Sequence, residues 1–210
     1  MRVAGLNVFW RGSVIAAVAL GLSSCFASLQ PLITASNAAT PLSAGVVTEY
    51  FNCDSDAGRL VGCTGYQSRS TAKLSVKDGV YTVHPDPNPA LAKVFPGGQV
   101  NDLSFRLGRV SGDLYVLQLP FGDTDASSTS PQFVYELARL QGQTLFLYEF
   151  SCEQNGDKTY VRSGDLAKIS DVLMVPTCEA SSLDGLGKVF ADRVANGAGP
   201  DEKFVVAPAS

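Results

Sequence analysis

The chain has 210 residues, 45% of them hydrophobic, with 16 Lys and Arg against 20 Asp and Glu and a formal charge of −4. This length can bury a full core, in one domain or two small ones, and mild acidity without a basic cluster excludes nucleic acid as a partner. A single histidine, His84, leaves little room for metal or histidine-dependent acid–base chemistry.

The N-terminus has the parts of a secretory signal. Arg2 and Arg11 supply positive charge, no acidic residue occurs in residues 1–24, and Ser13–Leu22 is an apolar core. A spanning helix needs about 20 apolar residues; here Arg11 interrupts the run on one side and Ser23 and Ser24 follow on the other. Leu22-Ser23-Ser24-Cys25 closes the run. This stretch resembles the lipobox of bacterial lipoproteins, with Ser24 a departure from the commoner Gly or Ala before the cysteine. The resemblance implies a signal peptide over residues 1–24, cleavage before Cys25, and a palmitate-type lipid anchor on Cys25. The partner it implies is therefore a lipid bilayer. Phe26, where Asp would signal retention in the inner membrane, implies the outer membrane, facing the periplasm.

Residues 25–45 are low in charge and rich in Ala, Ser, Thr, Pro and Leu, and are expected to form a flexible tether. Residues 46–210 are expected to form a single β-rich exported domain.

Val46–Cys53 reads as a strand. Ala72–Lys77 alternates strictly, and Asp78-Gly79 leads into Val80–Val83, a strong hairpin signal. His84-Pro85-Asp86-Pro87-Asn88-Pro89 ends it, because three prolines cannot continue a central strand. Phe105–Gly112 and Tyr135–Gly142 then repeat one pattern at an offset of thirty: aromatic, Leu, Arg, aliphatic, Gly. Each is followed by a second strand, Leu114–Leu119 and Thr144–Phe150, so two successive hairpins are expected, with Leu107, Val110, Leu137 and Leu140 in the core. Arg109 and Arg139, at equivalent places, read as the solvated side of the strands.

Tyr160–Ile169 and Val172–Val175 are short apolar pieces read as strands. Ser181-Ser182-Leu183-Asp184 resembles a capping box, and Leu183, Leu186, Phe190 and Val194 make a helical stripe. One helix is expected over Leu183–Val194, weakened by Gly185 and Gly187. Phe204–Val206 adds a last short strand. The expected fold is mainly β: an antiparallel meander, open barrel or sandwich of about eight strands with one C-terminal helix.

Apart from Cys25, four cysteines remain: Cys53, Cys63, Cys152 and Cys178. An even number in an exported chain points to disulfide bonds. Three pairings are possible, and the sequence-local one, Cys53–Cys63 with Cys152–Cys178, brackets two turn-rich loops. No Cys-x-x-Cys supports a zinc site.

No residue is assigned a catalytic or metal-ligating role, and no cofactor is expected. His84 reads as an exposed loop residue. There is no Gly-x-Ser-x-Gly elbow, P-loop or dinucleotide fingerprint. Asp54 with Asp56, Asp86, and Asp123 with Asp125 form acidic loops without the full set of a calcium site. Any binding site is left to aromatic side chains that stand outward from the sheet, as a patch for an envelope protein or glycan partner. Three functions fit: a non-enzymatic envelope lipoprotein that binds or scaffolds; an inhibitor similar in format to the small lipid-anchored β-barrel inhibitors of lysozyme; and a carboxylate-based cell-wall hydrolase, which requires two convergent acids.

Overall fold

A computed structural model describes residues 26–54, 64–85, 102–121, 132–148, 150, 152, 157–172 and 175–208. Its strands are β1 (Phe26–Ser28), β2 (Ala38–Ala39), β3 (Gly45–Asn52), β4 (Tyr66–Lys77), β5 (Val80–Pro85), β6 (Leu103–Ser111) and β7 (Leu114–Pro120). They continue as β8 (Phe133–Gln141), β9 (Thr144–Tyr148), β10 (Leu166–Val172), β11 (Val175–Ala180) and β12 (Glu202–Pro208). Two helices, α1 (Lys158–Ser163) and α2 (Leu183–Ala195), lie between β9 and β12.

Strands β3 to β9 pair in sequence order, each antiparallel to the next. The ring is completed by β12, which pairs β3 from Glu202↔Phe51 to Pro208↔Gly45 and β9 from Glu202↔Leu147 to Val205↔Thr144. The architecture is therefore a closed eight-stranded antiparallel barrel, not an open one. The closing strand is the piece read as a minor addition at Phe204–Val206. Closure follows because β12 has a free edge on each side, and pairing both leaves the ring no open edge. The Asp78-Gly79 turn forms as expected, with φ of 52° and 74° at the two residues, the left-handed conformation that a two-residue hairpin demands.

Alternation along the strands separates two cores. Tyr81, Phe105, Leu107, Tyr115, Leu117 and Leu147 point into the barrel. Val116, Tyr135, Leu137 and Tyr148 point outward, yet they are buried beneath α2, β10 and β11 together with Phe26, Leu186 and Phe190. β7 thus has both faces covered, which explains its nearly continuous apolar sequence.

The expected tether does not stand free of the domain. Phe26 and Ala27 are fully buried, and β1 runs between β8, antiparallel, and β11, parallel. Ile33 is also fully buried: its N–H donates to Gln118 Oε1 at 2.7 Å, and Gln118 Nε2 donates to its carbonyl at 2.9 Å. The N–H of Leu42, itself buried, donates to the Tyr81 hydroxyl at 3.0 Å. Strand pairing at Phe26 and Ala27, and a polar side chain beneath the backbone at Ile33 and Leu42, bind this low-charge segment to the barrel. Composition alone could not reveal those partners.

Helix α2 forms where the periodicity places it. Its cap is Ser182, whose side chain accepts from the Gly185 N–H at 3.0 Å. The two glycines that weaken its propensity are packing positions. A Cβ on Gly185 would lie 2.2 Å from the Asp165 carbonyl oxygen, and one on Gly187 would lie 2.4 Å from Val110 Cγ1. The apolar piece at Tyr160–Ile169 is not one strand: α1 ends at Gly164, and β10 begins at Leu166.

Candidate functional site

The barrel interior is the first place to look for a ligand. Its cavity measures about 50 Å³ and is lined by Leu, Val and Phe side chains, with Glu136 as the polar exception. A cavity of about 150 Å³ is what admits benzene. At a third of that size, the interior is a filled core rather than a carrier's cup.

A buried ionic cluster lies at the end of the barrel where β3 leaves and β12 enters. In the β3–β4 ladder Glu49 pairs Ser70 and Tyr50 pairs Ser68, so Arg69 is the extra residue of a β-bulge. The bulge turns its side chain to the face that alternation would deny it. Arg69 Nη1 donates to Glu49 Oε1 and to Glu202 Oε1, both at 3.1 Å, and Ser70 Oγ donates to Glu49 Oε2 at 2.7 Å. The guanidinium lies 5.1 Å from the Phe51 ring centre. Two carboxylates do converge, as a carboxylate hydrolase requires. They converge on a guanidinium, however, and both are buried; a leaving group would have to displace Arg69.

Beside this cluster, on the outer wall, Lys203 Nζ sits 4.2 Å from the Tyr66 ring centre and 5.0 Å from that of Tyr50. Burial pushes the Tyr66 phenol above its ordinary value, and the neighbouring Tyr148, Asp201 and Asp54 push it further. These two tyrosines are half-buried on the outward face of their strands. Tyr115 faces inward, and Tyr81 stacks on Phe105 at 5.1 Å within the core.

The cysteine reading is met where it can be seen. Cys152 and Cys178 form a disulfide, and Cys53 is also disulfide-bonded. Cys63 and Cys25 lie outside the described residues. Cys152, Asp157 and Cys178 converge closely enough to suggest a metal site, but bridged sulfurs offer no thiolate, and Arg193 occupies Asp157. The contact of Cys178 Sγ with Asp157 Oδ2 at 3.3 Å is likewise no hydrogen bond, because a disulfide sulfur carries no proton.

The most chemically specific arrangement involves His84, read from the sequence as an exposed loop residue. It lies within β5, opposite Lys73 of β4. Its Nδ1 is 2.8 Å from Asp102 Oδ2, and its Nε2 is 2.9 Å from Ser75 Oγ. With the ring proton placed on Nδ1, that nitrogen donates to Asp102 and Nε2 accepts from the serine hydroxyl. The order and atoms are those of a Ser–His–Asp relay. Neither Ser75 nor Asp102 carries a motif; sheet register brings them to the histidine. The signal that could have found Ser75 was its place two residues past Lys73 in a strictly alternating strand. All three residues are at the surface, with His84 41% and Asp102 56% exposed, so the sheet rather than burial holds the relay.

Comparison with family models, curated proteins and solved structures returned no match.

Proposed function

We propose that this chain is a membrane-anchored envelope lipoprotein with a non-enzymatic binding or scaffolding role, held by acyl chains on Cys25 at the outer membrane, facing the periplasm. The observation that supports this reading is the packing of the residue next to the lipobox cysteine. Phe26, the residue after the lipobox cysteine, lies in a strand that is buried and paired on both edges. The residues that directly follow the lipobox cysteine are therefore packed into the domain.

A consequence follows for placement. A flexible tether of 20 residues would allow excursions of about 25 Å, whereas adjacent Cα atoms are about 3.8 Å apart. The barrel is thus held close against the bilayer, and its partner must be reached near the membrane surface. The outward pair Tyr50 and Tyr66 is the contact surface favoured for an envelope protein or glycan.

A second reading, inhibition of a lysozyme-like enzyme, gains from the closed eight-stranded barrel, which matches the format of the lipid-anchored inhibitors. Lysozyme turnover measured with micromolar protein separates the two, since unchanged turnover removes the inhibitor reading. For the favoured reading, a photo-crosslinking residue at Tyr66 in living cells is expected to trap a discrete envelope component. One placed at Val46, exposed elsewhere on β3, is expected to trap none, and equal patterns at both would contradict the assignment of the surface.

A further inference from the structure

We infer that Ser75 is an activated nucleophile, able to accept an acyl group from an activated ester that carries a negative charge. The activating group is His84 Nε2, 2.9 Å from Ser75 Oγ, and His84 is oriented by Asp102 Oδ2, 2.8 Å from Nδ1. Antiparallel pairing fixes the three backbones: Ser75 is opposite Thr82, Lys73 is opposite His84, and Val83 is opposite Leu103. Preorganisation of this kind is what a relay needs, because the base must lie within hydrogen-bond reach of the proton it removes.

The step balances with the groups present. Ser75 Oγ bonds to the acyl carbon while its proton passes to His84 Nε2. The bond from that carbon to the leaving oxygen breaks, and Nε2 returns the proton to that oxygen. The products are acyl-Ser75 and a free alcohol.

The flanking residues set the donor class. Lys73 and Lys77 stand two positions to either side of Ser75 on the same exposed face of β4. Thr82, directly across the ladder, adds a hydroxyl whose oxygen is 3.2 Å from Ser104 Oγ. Backbone N–H groups inside a sheet are committed to its ladders, so charge developing on the acyl oxygen falls to these side chains. Two ammonium groups favour an anionic donor. Selectivity is therefore assigned to charge. This activity is independent of the lipid anchor and adds covalent capture to the binding role.

The test uses full-length protein in detergent, a fluorophosphonate probe, and two p-nitrophenyl esters, a neutral acetate and an anionic succinate half-ester. Peptide mapping is expected to place the phosphonate on Ser75 and nowhere else. His84→Ala is expected to slow labelling by about 100-fold, the lower range for general-base help, and Asp102→Asn by about tenfold. Lys73→Gln with Lys77→Gln is expected to slow both esters, and to slow the anionic one several-fold more than the neutral one; equal slowing of the two would overturn the anionic donor class. Because the altered side chains lie at the surface, all variants are expected to melt as the parent does. Absence of an adduct on Ser75, or labelling of His84→Ala at the parental rate, would overturn the inference.

Discussion

Arg193 Nη2 lies 2.8 Å from each carboxylate oxygen of Asp157, and the guanidinium is held between the rings of Phe26, at 5.0 Å, and Phe150, at 5.3 Å. This contact ties the last turn of α2 to the residue before α1 and to the first residue of β1. Removing one partner of a buried pair leaves a charge that the fold must solvate, at about 3–5 kcal/mol. Arg193→Met is expected to lower stability by about that amount in urea unfolding. The double variant Arg193→Met with Asp157→Asn should recover part of the loss. A single-variant loss below about 1 kcal/mol would show that the pair is not load-carrying.

Cys152 and Cys178 close a loop of sequence separation 26. The chain-entropy account gives such a loop about 3–4 kcal/mol. Replacing both with Ser is expected to cost about this much, measured by thermal and urea unfolding under non-reducing conditions. An unchanged midpoint would mean that the second core holds the segment without the staple.

Ala favours an isolated helix over Gly by about 1 kcal/mol, so on propensity alone Gly185→Ala and Gly187→Ala should stabilise α2. The contacts at 2.2 Å and 2.4 Å predict the opposite. Both substitutions are expected to destabilise, Gly185→Ala more strongly, because its obstacle is backbone rather than a movable side chain. A gain in melting temperature for either would contradict the packing of α2 against β6 and the turn before β10.

Burial pushes the phenols of Tyr135 and Tyr81 above their ordinary 10.0. The hydrogen bonds of Tyr135 with Ser28 and Leu32, and of Tyr81 with Leu42, offset only part of that. A group with a raised folded-state value contributes stability that is complete below its unfolded value and is lost as pH rises through the folded one. Stability should therefore be level through neutral pH and fall from about pH 10 upward. Tyr135→Phe should lower stability at neutral pH by removing its hydrogen bonds, and should make the alkaline loss shallower. Melting curves between neutrality and pH 11 test both.

Local pattern carried much of the fold. The Asp78-Gly79 turn, the repeated hairpins β6–β7 and β8–β9, and α2 were legible because each follows from residues close in sequence. Barrel closure was not legible. It depends on β12 meeting β3, about 150 positions earlier, and nothing within Phe204–Val206 announces that partner. The docking of residues 26–45 through Phe26, Ala27, Ile33 and Leu42 was hidden for the same reason, since Gln118, Tyr135 and Tyr81 supply the segment's hydrogen bonds from afar. Arg69 was invisible as a clamp because alternation places it outward until the bulge reverses it. At the candidate site His84 was visible as the single histidine but read as an exposed loop residue, and no site residue was legible. Ser75 and Asp102 reach it through register between three strands, and the long connection from β5 to β6 leaves that register unspecified in the sequence.

The central claim is that Cys25 carries the lipid, directly before the packed residues Phe26 and Ala27. Incorporation of labelled palmitate into the protein in growing cells, compared between the parent and Cys25→Ser, tests it most directly. The account predicts label in the parent, none in the variant, and loss of the variant from the membrane fraction. Equal labelling of the two, or an unlabelled parent, would contradict it.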